Sequence, residues 1–155
     1  MPVSTESANL VRQKVMTFPT RDPAVHLLLD AFFRYWSEHK SNQDLEYFAF
    51  SALADDTVAV DAANTLFVVY FRKQNTTVDA YPKVFDDATA TGTAADERIT
   101  TFLADGNDDQ VLIFPDGMPM AAGIVLTSHT TSSGTTDSGA ADGPAGFLVW
   151  GADGI

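Results

Sequence analysis

Six consecutive apolar residues, Leu66-Phe-Val-Val-Tyr-Phe71, constrain this chain more than any other stretch. Side chains alternate between the two faces of a strand, so a strand that is apolar at every position has no face for water. It needs cover on both sides. The chain supplies two candidates for that cover, a second sheet and a helix.

The sheets are predicted by short runs with strand periodicity near residues 46–53, 57–60, 65–73, 81–85, 99–104, 111–114, 122–128 and 147–150. Between them lie turn formers such as Ala54-Asp-Asp56, Asp61-Ala-Ala-Asn64 and Gln74-Asn-Thr-Thr77. Eight short strands with polar turns predict a mainly β fold, an antiparallel β-sandwich or jelly-roll-like domain. In the last third, Gln110 to Thr127 sets two apolar runs around Pro115-Asp-Gly117, which reads as a turn between two strands. Ser128 to Ala145 is too polar and too poor in large side chains to bury anything, and predicts an exposed loop.

The helix is predicted from Asp22 as N-cap and Pro23 at the first helical position, running to Lys40. It would be about 27 Å long at 1.5 Å per residue. Polar residues recur at His26, Asp30, Arg34 and Ser37 or Glu38 as a single stripe. The rest is apolar: Val25, Leu28, Leu29, Phe32 and Trp36 on one side, Leu27, Ala31 and Tyr35 on the other, with Phe33 beside them. A helix lying on one sheet needs an apolar stripe only a little over 100° wide. The excess predicts burial against the chain's own N-terminal arm or against a neighbouring subunit. Leu27, Ala31, Phe33, Tyr35 and Trp36 are the candidate assembly residues, the aromatics because such side chains dominate interface cores.

Residues 1–21 predict a weakly specified arm in which Ser7 to Met16 forms at most a turn or two of helix before Thr17-Phe-Pro-Thr20 breaks it. The expected organisation is an assembly segment at 1–43, comprising the arm and one α-helix, and a β-sandwich domain at 44–155. A chain of 155 residues with 45% hydrophobic content supports one core. The opening residues have neither the basic nor the apolar region of a signal peptide, and no apolar run approaches the roughly 20 residues that span a bilayer.

Charge is distributed unevenly. Residues 1–40 carry five basic and four acidic residues, and the remainder carries four basic against seventeen acidic, with no Lys or Arg after Arg98. Binding to nucleic acid or to an anionic membrane needs cationic side chains, so the sequence predicts neither as a partner.

Catalytic and metal readings find little. With no cysteine and three scattered histidines, neither a disulfide framework nor a His-rich metal site is expected. The paired carboxylates Asp55/Asp56, Asp86/Asp87 and Asp108/Asp109 read as turn formers, because consecutive strand residues point to opposite faces. Asp105-Gly-Asn-Asp-Asp109 imitates the start of a calcium loop, but Gln110 stands where the sharp-turn glycine belongs and Asp116 replaces the bidentate glutamate. His129 lies in a Ser/Thr tract without a nucleophile motif. No catalytic, cofactor or metal residue is predicted, and the chain reads as a non-enzyme.

The succession of Leu66-Phe-Val-Val-Tyr70, Lys83-Val-Phe-Asp-Asp-Ala-Thr-Ala90, Ile99-Thr-Thr-Phe-Leu103, Leu112-Ile-Phe-Pro-Asp-Gly-Met-Pro-Met-Ala-Ala-Gly-Ile124 and Phe147-Leu-Val-Trp150 resembles small β-sandwich structural proteins of tailed bacteriophages. The likeness covers roughly residues 64–150, and its sharpest element is Phe114-Pro-Asp-Gly-Met-Pro-Met-Ala-Ala-Gly123, with Met120 where an aromatic is usual. Residues 1–45 lie outside the shared pattern. The resemblance implies a non-enzymatic virion component, assembled in the host cytoplasm, whose partner is the major capsid protein or another virion protein. With the acidic body and the sticky helix, it favours a capsid decoration (cement) protein, expected as a homo-oligomer and by analogy a trimer. The alternative is a neck, tail or fibre component that binds host glycans through its Thr/Ser/Asp loop and an exposed aromatic such as Trp150.

Overall fold

The computed structural model describes residues 4–20, 22–39, 44–53, 56–73, 78–89, 96–104, 109–137 and 143–151. Two helices, α1 (Ser4–Thr17) and α2 (Pro23–His39), precede eight strands. These are β1 (Leu45–Phe50), β2 (Thr57–Val60), β3 (Asn64–Arg72), β4 (Tyr81–Phe85), β5 (Glu97–Thr100), β6 (Asp109–Met120), β7 (Ile124–His129) and β8 (Ala145–Gly151).

The strands form two antiparallel four-stranded sheets with orders β1-β8-β3-β6 and β2-β7-β4-β5. The pairs β1–β8, β2–β7, β3–β6 and β4–β5 are those of one long hairpin folded over on itself, which is jelly-roll winding. The mainly β sandwich expected from the turn spacing is the fold observed.

Strand β3 sits inside the first sheet between β8 and β6, and every residue from Asn64 to Phe71 is buried. Leu66, Val69 and Phe71 point between the sheets with Leu126, Ile124, Val84 and Leu148. Phe67, Val68 and Tyr70 point the other way, under the helices, with Leu29, Phe32, Trp36, Phe147 and Val149. The doubly apolar strand thus has the two covers its sequence demands. Phe67 and Val68 face the same side because a bulge interrupts the ladder: Leu66 pairs with Trp150 while Val68 pairs with Val149. The bulge lifts the Phe67 ring against Trp36, edge-on at 4.7 Å, and Phe32 at 6.0 Å. Full burial of such side chains contributes about 1.5–3 kcal/mol each.

Two expectations are corrected. The N-terminal arm is a 14-residue helix, so the chain has two helices and not one. Ala8, Val11 and Val15 recur on one face of α1 and are buried against α2 and β1. The helix ends where Thr17 folds its hydroxyl back to Gln13 O (3.0 Å) and Phe18 N donates to Val15 O (3.2 Å). Phe18 then wedges edge-on against Tyr70 (5.9 Å) and Phe147 (5.3 Å) with the Arg72 guanidinium over its ring. The Thr17-Phe-Pro-Thr20 break is a seated anchor. The 1–43 segment supplies the third layer of the fold through α1 and α2.

The second correction concerns Pro115-Asp-Gly117, which lies within β6 and joins no hairpin. Ile113 pairs with Val68 and Met118 with Leu66, so Phe114 to Gly117 bulge out opposite Phe67 alone. Gly117 takes φ +87°, and a Cβ there would stand 2.2 Å from Thr65 Cγ2. The chain turns later, at Ala121–Gly123, where it leaves the first sheet and enters the second.

Candidate functional site

The N-cap expected at Asp22 forms: its Oδ1 accepts from Ala24 N at 2.9 Å. Asp22 N in turn donates to Asp109 Oδ2 (3.3 Å), which also accepts from the Tyr70 hydroxyl at 2.9 Å. Asp109 therefore pins the start of α2 to the sheet. Residues 105–108 of the calcium-loop candidate lie outside the described residues.

This docking decides which face of α2 remains. Val25, Leu29, Phe32, Phe33 and Trp36 are buried, Phe33 on the α1 side and Trp36 fully enclosed. Phe33 and Trp36 are consequently core residues of their own chain and are withdrawn as surface anchors, since α1 and the first sheet cover what the sequence left uncovered. Tyr35 is half-buried; its hydroxyl donates to Asp116 Oδ1 at 2.6 Å and its ring stacks on His39 at 4.3 Å. The hydrogen bond to that carboxylate, with some desolvation, holds the Tyr35 phenol above its ordinary range. Leu27 is 74% exposed, Leu28 50%, and Ala31 is exposed.

An apolar groove of about 480 Å³ runs beside this strip, between α2 and the β6 bulge. Leu28, Ala31 and Phe32 line one wall, Ile113 and Pro115 the other, with Tyr35 and Asp116 closing it through their hydrogen bond. The bulge is what lifts Pro115 and Asp116 to helix height. The opposite edge of α2 is polar: Asp30 accepts from Arg12 of α1 and from Arg34, and these bonds hold its carboxyl below the usual range. An apolar strip with a groove on one side and an ion-pair cluster on the other can take a complementary protein surface.

The Asp86/Asp87 pair has structural work. Asp86, with a side chain 5% exposed, accepts from three backbone amides at the sheet-to-sheet corner: Ala121 N (2.9 Å), Ala122 N (2.7 Å) and Gly123 N (3.4 Å). Burial alone would raise its pKa, but those amides and Arg98 at 3.5 Å outweigh it and hold the carboxyl below its ordinary value. Asp87 closes a turn onto Thr89 N at 3.0 Å. The Lys83-to-Ala90 and Phe114-to-Gly123 blocks, which carry the sequence resemblance, thus meet at one point, the Asp86 carboxylate.

Trp150, the glycan-platform candidate, is half-buried and packs against the core between the sheets. The described part of the Ser/Thr loop remains largely exposed yet folds back on the second sheet, with Thr130 N bonded to Thr136 O (3.0 Å) and Lys83 Nζ to Gly134 O (3.2 Å). No helix among the described residues is long and apolar enough to cross a membrane. No protein-family model, curated protein or solved structure matches the chain.

Proposed function

We propose that this protein is a non-enzymatic structural component of a bacteriophage virion, a capsid decoration (cement) protein that binds the shell through the exposed strip of α2. The observation that carries the reading is the apolar strip itself, Leu27, Leu28 and Ala31 beside the Tyr35–Ile113–Pro115 groove. Two large aliphatic side chains held in solvent on a rigid, well-packed helix are preformed for a protein partner. Jelly-roll winding is used by viral capsid and lectin domains alike, so the fold supports the reading without deciding it. The sequence resemblance supplies the virion context. The partner is the major capsid protein or another virion protein, with the decoration protein assembled as a homo-oligomer, a trimer by analogy. The strongly acidic body after residue 40 suits a surface that faces away from packaged DNA.

The test is co-sedimentation of purified protein with empty shells, comparing wild type with Leu27→Asp/Leu28→Asp. Wild type is expected to bind and to raise the shell's melting temperature, and the double variant to stay folded and lose binding at least tenfold. Undiminished binding by the folded variant refutes the reading. The glycan-binding alternative draws on one observed surface feature, the Tyr81–Phe102 ring pair at 5.1 Å with Phe102 42% exposed. Glycan capture that Phe102→Ala abolishes, without shell affinity, would favour it.

A further inference from the structure

On the outer face of the second sheet, far in sequence from the α2 strip, three segments bring metal-ligating side chains together. One ring nitrogen of His129 and one carboxylate oxygen each of Asp56 and Asp137 lie within 4.8 Å of one another. His129 ends β7, Asp56 immediately precedes β2, and Asp137, eight residues beyond His129, pairs with it as an isolated backbone bridge. Strands β2 and β7 are hydrogen-bonded neighbours, so the ladder fixes two of these positions and the bridge fixes the third.

The imidazole supplies the second, independent observation. His129 is 6% exposed, and its Nδ1 has no hydrogen-bond partner. Its Nε2 lies 3.5 Å from Asp137 Oδ1, longer than a normal hydrogen bond. With Nε2 on the Asp137 side and Nδ1 buried without a hydrogen-bond partner, the imidazole is poorly satisfied as it stands. Asp137 is oriented by Thr127, whose hydroxyl donates to the same Oδ1 at 3.2 Å, an outer contact of the kind that steadies carboxylate ligands. Burial first, then the nearby Lys83 ammonium, holds His129 below its ordinary pKa despite the carboxylates of Asp137, Asp56 and Glu97.

We infer that Asp56, His129 and Asp137 form a binding site for a first-row divalent cation, Zn²⁺ best matching one imidazole and two carboxylates with a position left for water. The ion would tie the β1–β2 connection, the end of β7 and the returning 130–137 segment together. Among the described residues Lys83 opposes the site: it sits on the adjacent strand, across from Thr127, and donates to Gly134 O. Its ammonium weakens the site electrostatically and keeps its affinity moderate.

The test uses the full chain, stripped with chelator and titrated with ZnCl₂ by calorimetry and thermal melting. One equivalent is expected to bind, and Zn²⁺ a hundredfold above Kd to raise Tm by about 5–10 °C. His129→Gln, Asp56→Asn and Asp137→Asn should each weaken binding by at least the roughly ten- to hundredfold that loss of an outer partner of a ligand costs, Lys83→Gln should tighten it, and His39→Gln should leave it unchanged. Should the ligand variants misfold, Mn²⁺ broadening of wild-type NMR signals gives a separate readout: it is expected at the His129 ring and the Asp137 amide, not at His26 or His39. Absence of saturable Zn²⁺ binding, loss of binding in His39→Gln, or broadening centred away from His129 overturns the assignment.

Discussion

Replacing Asp86 by alanine tests the corner that joins the two sheets. The substitution removes the acceptor for Ala121, Ala122 and Gly123 N–H together and breaks the Arg98–Asp86 ion pair. Ala121 and Ala122 are exposed, so their amides regain water, and each lost bond costs about 0.5–1.5 kcal/mol. Gly123 is buried, and its N–H loses its acceptor at about 1–3 kcal/mol. Arg98 is 41% exposed and turns to solvent at little cost. The expected loss is about 2–6 kcal/mol, and about half of that for Asp86→Asn, which keeps one oxygen. Urea unfolding measures it: the midpoint falls by about 1 M or more at unchanged slope. The pH dependence carries the same signature. Because the folded-state pKa of Asp86 is depressed, its contribution is present above the unfolded value of 3.8 and disappears as pH falls through the folded pKa. Wild type should therefore lose stability over that acidic window more steeply than Asp86→Ala. A change below about 0.5 kcal/mol at neutral pH, or parallel acid profiles, would refute the clamp.

Other outcomes follow from the same packing. Gly123→Ala places a Cβ 2.3 Å from Val60 O and 2.6 Å from Asp87 O, both backbone, so a loss of about 2–4 kcal/mol is expected by chemical denaturation. Phe67→Ala empties the bulge beneath Trp36 and Phe32 and should cost about 3–5 kcal/mol in the same assay. Leu27→Asp, on the exposed strip, should change stability by no more than about 0.5 kcal/mol while Trp36→Ala costs about 3–5, a contrast that separates surface from core on one helix. Deleting residues 1–43 should abolish folding, read by near-UV circular dichroism, because it uncovers Phe67, Tyr70, Phe147 and Val149.

Local chemistry made much of the fold legible. Period-two runs marked the strands, and Asp22-Pro23 marked the helix start, because both signals lie within a few residues. The covers for Leu66–Phe71 were legible in kind, since a strand apolar on both faces requires them. Features that depend on distant partners were not. Pro115-Asp-Gly117 has turn chemistry, and only its register against Leu66 and Val68 makes it a bulge. The excess apolar face of α2 was visible, but its coverage depends on Ala8, Val11 and Val15, three modest side chains in a largely polar segment. That is why Phe33 and Trp36 read as interface anchors while Leu27 and Ala31 stand exposed. Asp86 and the Asp56–His129–Asp137 cluster gave no local sign, because their partners arrive through strand pairing across the jelly roll.

The proposed capsid-binding role requires the Leu27–Leu28–Ala31 strip to lie against a shell protein. Site-specific photo-crosslinking on intact particles addresses this directly, with the probe placed at residue 28 of α2 and, for comparison, at residue 102, just beyond β5. A crosslink from position 28 to the major capsid protein, absent from position 102, is the predicted result. Crosslinking from position 102 with none from position 28 would contradict it.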